Sequence, residues 1–144
     1  MATAKNGVTL FTPNDVRTWY QPEGRRIFLG DVPDEQSSDT MGVGFARYAP
    51  AQANEWVVTY DEALIVTKGA YTVTAKDGTK TTAKPGEVIY LTEGTKVVYS
   101  ADEETEVVYV TYPTWMDAHR RSKHARLLDI YHPIQGGPPD IRPQ

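Results

Sequence analysis

The sequence predicts an all-β fold, a single antiparallel β-barrel domain with a short helix before it and another after it. Three observations lead there. Short runs rich in Val, Ile, Thr and Tyr recur between Met41 and Tyr112, the residue types that suit a pleated surface. Turn signals separate several of them, at Lys76-Asp77-Gly78, Lys84-Pro85-Gly86 and Glu93-Gly94. No strand alternates with a helical pattern, which a parallel sheet would need.

In chain order, residues 1–40 form an N-terminal arm. Thr12-Pro13-Asn14-Asp15 predicts a helix start, with Thr as cap, Pro in the first turn and Asp three residues after the cap. Residues 21–40 are rich in Gly, Pro, Asp and Ser and predict loop with one short strand near Arg26–Leu29. Residues 41–113 form the barrel core, with strands over Val43–Tyr48, Trp56–Tyr60, Ala63–Thr67, Ala70–Ala75, Val88–Leu91, Val97–Ser100 and Val107–Tyr112. Asp77-Gly78 is the strongest hairpin signal among them. Residues 114–144 close the chain. Thr114 to Asp117 looks like a second capping box, opening a helix to about Leu128. Its cations lie toward the helix end, where the dipole favours them. The Pro- and Gly-rich segment Tyr131–Gln144 should form no regular element.

Bulk numbers narrow the function. With 144 residues the chain fits one domain, and 40% hydrophobic and 10% aromatic content, including nine Tyr, argues against disorder. A net charge of −4 disfavours nucleic acid as a partner. The chain has no cysteine, so disulfides, zinc–thiolate sites and thiol nucleophiles are excluded. The N-terminus lacks a signal-peptide core, and no apolar run nears the roughly 20 residues that span a membrane. A cytoplasmic protein with no membrane partner is the expectation.

The informative stretch runs from Trp56 through Tyr60-Asp61-Glu62 to Gly69 and joins Gly86 to Gly94. A glutamate, six residues and a glycine resemble half of the first cupin motif. Gly86, a strand and a turn ending at Gly94 resemble the frame of the second. Over roughly Val43 to Tyr112 the chain thus resembles the cupin superfamily, which implies a jelly-roll-like barrel. A metal-binding cupin would carry histidines at Trp56, Val58 and Val97; none is present. One carboxylate does not hold a transition metal that wants three or four N/O ligands, so no metal and no cofactor are expected. Within cupins, Trp56, Tyr60-Asp61-Glu62 and Tyr109-Val-Thr-Tyr-Pro113-Thr-Trp115 are similar to the ethanolamine-utilisation protein Q (EutQ) family. That resemblance implies a link to ethanolamine catabolism and an acetate-kinase-type activity.

Side chains alternate along a strand, so Trp56, Val58, Tyr60, Glu62, Leu64 and Val66 should share one otherwise apolar face. A glutamate there must be paired, hydrogen-bonded or protonated, and burial would raise its pKa toward the range of a general acid or base. Tyr60 is placed to donate a hydrogen bond to it. Val97 and Tyr99 should face the same cavity. Arg47 is expected as a solvated surface cation; pointing inward, it would pair with Glu62 or bind a substrate carboxylate, and Phe45 shares its face. His119, His124 and His132 are expected on the surface, since a spacing of five does not align the first two on one face of a helix.

The resulting expectation is a metal-independent enzyme acting on a small organic substrate. Glu62 and Tyr60 would be catalytic, and Trp56, Val58, Arg47, Phe45, Val97 and Tyr99 would bind substrate. The reaction would be an isomerisation, cyclisation, dehydration or other lyase step. Two alternatives stand beside it: the acetate-kinase-like protein that the resemblance implies, and a non-catalytic ligand-binding or scaffold protein. A homodimer is expected by analogy with other cupin-like barrels.

Overall fold

Inward-facing apolar side chains at every second residue set the architecture. The computed structural model describes residues 6–32 and 40–144; residues 1–5, and 33–39 of the expected loop, lie outside them. Eleven strands form among these: β1 Thr18–Pro22, β2 Ile27–Val32, β3 Gly42–Tyr48, β4 Gln52–Val57, β5 Asp61–Lys68, β6 Tyr71–Ala75, β7 Lys80–Ala83, β8 Val88–Leu91, β9 Lys96–Ala101, β10 Thr105–Tyr112 and β11 Tyr131–Gln135. They pair as a seven-stranded sheet, β11-β1-β2-β3-β10-β5-β8, and a four-stranded sheet, β4-β9-β6-β7. Every pairing is antiparallel. The two sheets face each other as a cupin barrel. Asp77-Gly78 closes the β6–β7 hairpin as expected, with Gly78 at φ 91°.

The main core fills the space between the sheets. It includes Ile27, Ala46, Tyr48, Leu64, Val66, Val73, Val97 and Val107. A second cluster, Val16, Trp19, Phe28, Val32, Ala49 and Ile141, covers the opposite face of β1–β3. Ile141 comes from the C-terminal tail. The Arg26 guanidinium fastens that tail by donating to the Asp140 carbonyl at 3.0 Å and the Arg142 carbonyl at 2.9 Å.

Several boundaries differ from the sequence expectation. The segment expected as one strand, Trp56–Tyr60, ends as β4 at Val57, and residues 58–60 cross from the small sheet to the large one. The alternation survives the crossing: Trp56, Val58, Tyr60, Glu62, Leu64 and Val66 are all buried. The arm carries two strands, β1 and β2, rather than one. β7, with its exposed Lys80-Thr-Thr, is a polar edge strand whose composition hid it.

The C-terminal helix is shorter than expected. α1 spans Trp115–Arg120, and a 3-10 helix follows at Ala125–Ile130. Ser122 stops the first: its hydroxyl donates to the His119 carbonyl at 2.8 Å and accepts from the His124 N–H at 3.0 Å, competing with the helical ladder. Thr114 makes no side-chain cap, whereas Thr12 and Asp15 do form the expected capping box. The tail also departs from expectation, because Tyr131–Gln135 forms β11. Pro133 is tolerated there because β11 is an edge strand.

One glycine is demanded by a close approach. Gly44 on β3 sits between Tyr109 on β10 and Asp31 on β2. A Cβ at Gly44 would fall on the tip of the Tyr109 ring. The Gly44→Ala variant is therefore expected to unfold at a lower urea concentration. Its stability should drop by about 2 kcal/mol, the scale of overpacking a close-packed interior.

Candidate functional site

The inward face of the large sheet and its crossing segment open into a cavity of about 40 Å³. A water molecule needs about 10–15 Å³ on this measure, so a ligand of only a few heavy atoms fits. Glu62, on β5, points into it and is 6% exposed. Tyr99, from β9 in the facing sheet, donates its hydroxyl proton to Glu62 Oε1 at 2.7 Å. Burial outweighs that hydrogen bond and pushes the Glu62 carboxyl up from 4.5 to about 7.

The remaining wall groups pair with one another. Trp56 Nε1 donates to the Tyr60 hydroxyl at 2.8 Å. The Tyr71 hydroxyl donates to that of Tyr48 at 2.9 Å. Asn54 Nδ2 donates to the Tyr131 hydroxyl at 2.7 Å. Asp31 is a second carboxyl at this wall. It accepts from the Tyr109 hydroxyl and, at 2.8 Å, from Trp115 Nε1, and burial raises its pKa. Among the described residues, neither carboxyl has an ion pair.

The structure brings Glu62, Tyr60, Trp56 and Tyr99 together around the cavity. The hydrogen bond expected from Tyr60 comes from Tyr99 instead, and Tyr60 accepts from Trp56. Val58 and Val97 are buried in the core but do not line the cavity. Phe45 and Arg47 do not line it either. Residues 43, 45 and 47 of β3 alternate away from Ala46 and Tyr48 and face outward. Phe45 packs on the outer cluster. Arg47 pairs with Glu106 and donates from Nε to the Pro139 carbonyl at 3.0 Å.

His119 overturns its surface expectation. It is fully buried and stacks on Trp56, ring centroids 4.1 Å apart at 15°. Its Nδ1 lies 3.2 Å from the Thr59 hydroxyl. Burial first, and His124 second, lower its pKa from 6.5 to about 4, so it is neutral at physiological pH.

Asn54, Asp31, Tyr109, Trp115 and Tyr131 were not anticipated at the site. Asn54 lies two residues before Trp56 on β4, so its parity was available. Tyr109 shares its strand face with the buried Val107 and Thr111. The other three depend on packing that no local pattern reveals.

The site does not suit the metal that many cupin barrels carry. Glu62 faces phenols and indoles, and no group of three or more His, Cys, Asp or Glu converges among the described residues. Neutral phenols and indole N–H groups are poor ligands for a divalent transition metal.

A family model described as "Ethanolamine utilisation protein EutQ" matches residues 22–117. The acetate kinase EutQ of Clostridioides difficile (strain 630) is 36% identical over 87 residues, covering 60% of this chain and 54% of that protein. Acetate kinase EutQ of Salmonella typhimurium is 26% identical over 113 residues, covering 77% and 48%. The chain spans about half the length of the curated relatives it matches. Among solved structures, a Rhizobium leguminosarum protein of unknown function superposes with a TM-score of 0.61 at 29% identity, covering 74% of this chain and 97% of that one. A cupin superfamily protein of Desulfitobacterium hafniense superposes at 0.53 and 15% identity, covering 60% and 77%, a likeness of fold alone.

The two shifted groups pull stability in opposite directions. Glu62 holds its proton more tightly folded than unfolded, so its contribution falls as pH rises from about 4.5 to about 7. His119 holds its proton less tightly folded, so its contribution falls as pH drops from about 6.5 to about 4. Each is worth at most about 3 kcal/mol across its window. Relative to the wild type, Glu62→Gln should gain stability at pH 7 compared with pH 4.5. His119→Gln should gain at pH 4.5 compared with pH 7. Thermal midpoints at the two pH values check both signs.

Proposed function

The chain belongs to the ethanolamine utilisation protein EutQ family, and on that premise we propose that it is an enzyme moving a proton on a small organic molecule held in the Glu62 cavity. The observation that carries this reading is the Glu62 carboxyl itself. It is buried in a cavity wall, held by one hydrogen bond, and titrates at about 7. Near neutral pH it exists in both forms, so it can take a proton from one substrate atom and return it to another. Tyr99 orients it and keeps the ionised form populated. Tyr60, whose phenol stays protonated well above neutral pH because of burial, is the candidate partner acid. Isomerisation, cyclisation, dehydration or another lyase step needs no more than this pair, and no step is routed through a metal.

A second reading rests on the two relatives called acetate kinase EutQ. It predicts acetyl phosphate from acetate, ATP and Mg²⁺. A nucleotide far exceeds the Glu62 cavity of about 40 Å³, so the first reading is preferred for this site. A homodimer belongs to the proposal as well, supported by the exposed apolar Val88 and Tyr90 on edge strand β8, and a cytoplasmic location is proposed with it.

Proton transfer is readable before the natural substrate is known, as deuterium incorporation from D₂O into small organic molecules followed by NMR. Glu62→Gln should lower that exchange at least ~100-fold, the typical worth of a positioned acid or base. Tyr99→Phe removes the hydrogen bond that lowers the Glu62 pKa, so the rising limb of the pH–rate profile should move to higher pH. Unchanged exchange in Glu62→Gln would sink the first reading. Acetyl phosphate formation by the purified chain, retained in that variant, would establish the second.

A further inference from the structure

Three rings meet at one corner of the cavity. Trp56 and Trp115 lie 6.0 Å apart at 65°, Trp56 and Tyr131 5.6 Å apart at 75°, and Trp115 and Tyr131 5.9 Å apart at 62°. The rings pack edge to face on one another, and the ring surface they turn to the cavity, together with its carboxylate, is suited to an organic cation. The carboxylates are present as Glu62 and, behind Tyr109 and Trp115, Asp31. No Lys, Arg or His side chain lines the cavity among the described residues. Arg25 reaches only its rim, donating to Asn54 Oδ1 at 3.3 Å.

We propose that the cavity is a binding site for a small organic ammonium ion, its charged head set between the aromatic corner and an ionised Glu62. The volume limits the ligand to a few heavy atoms. Desolvation strengthens the attraction, because the carboxylate and the ring faces meet the cation away from bulk water. An anion would meet two carboxyls and the negative ring faces, so it is the class the site rejects.

The inference rests on the proton-transfer reading for the site's location and adds its ligand class. Binding a cation favours ionised Glu62, so affinity should follow its titration. The phenols facing it from β3, β6, β9 and β10 (Tyr48, Tyr71, Tyr99 and Tyr109), and Tyr60 beside it, all titrate well above neutral because they are buried. Tyr131 is held up at about 12. Asp31 is the other carboxyl whose ionisation burial holds back, and it would add to the same trend.

Isothermal titration of the full chain with ethylammonium chloride, ethanol and sodium acetate, at matched ionic strength, tests this. Ethylammonium should bind saturably at pH 8, at least tenfold tighter than ethanol, with acetate not binding. At pH 6 its affinity should fall about tenfold, following the ionised fraction of Glu62. Glu62→Gln should weaken ethylammonium at least tenfold, and far more than it weakens ethanol. Tyr131→Leu, which removes one wall, should weaken ethylammonium severalfold. Absent ethylammonium binding, equal or tighter binding of ethanol or acetate, or an unchanged affinity in both variants would overturn the proposal. The two readings separate cleanly. A Glu62→Gln protein that loses deuterium exchange but keeps its ethylammonium affinity refutes the cation site and leaves proton transfer standing. The converse result does the opposite.

Discussion

A single hydrogen bond ties the chemistry to the architecture. The Tyr99 hydroxyl reaches from the four-stranded sheet to Glu62 on the seven-stranded sheet, at 2.7 Å. A carboxyl buried between two sheets, without an ion pair, is costly unless something solvates it. Tyr99 supplies part of that solvation, and protonation near neutral pH supplies the rest. The two sheets must be held in fixed relation for this bond to persist. The packing between them is therefore also the packing that tunes the site.

The wall around Glu62 follows the same economy. Its polar tips are joined in pairs, Trp56 to Tyr60, Tyr71 to Tyr48, Asn54 to Tyr131, and Tyr109 and Trp115 to Asp31. Each pair satisfies groups that would otherwise be buried without partners. Several bridge distant parts of the chain: Asn54 belongs to β4 of the small sheet, and Tyr131 to the edge strand β11 of the large one. Such pairs fix ring orientations before a ligand arrives, which lowers the ordering cost of binding. Gly44 belongs to this scheme, because its missing side chain lets the Tyr109 ring cross β3 toward Asp31.

Strand parity made part of this legible in the sequence. Trp56, Tyr60 and Glu62 are buried and alternate with less buried neighbours such as Glu55, Thr59 and Asp61, so their shared face follows from the two-residue period even though a sheet crossing interrupts them. Tyr99 followed from the same rule on β9. Parity within one strand does not say which face is inner when both are apolar, and β3 shows the consequence. Phe45 and Arg47 face the outer cluster and the tail, while the small residues Gly44 and Ala46 face inward. Asp31 was hidden because Gly30-Asp31 has the composition of a loop, yet it lies on β2. Tyr131 was hidden because its strand forms only by pairing with β1, about a hundred residues earlier. His119 was misplaced because the inner side of α1 is defined by Trp56, not by any periodicity of a six-residue helix.

The same Trp56 bears on what the cupin frame can hold here. It occupies a place where a metal-binding cupin would present histidine, and the indole turns that place from a ligand into a wall. A histidine does stand close by, as His119, but it stacks flat on Trp56 rather than entering the cavity. Burial holds it neutral through the physiological range. A protonated imidazole in that stack would set its own positive charge on the Trp56 ring and compete for the ring's negative face. A neutral one supports the indole by packing and leaves the field of the cavity to its carboxyls. An indole at this position offers no lone pair in the ring plane to a metal. Proton affinity and aromatic recognition are then set by the same buried walls.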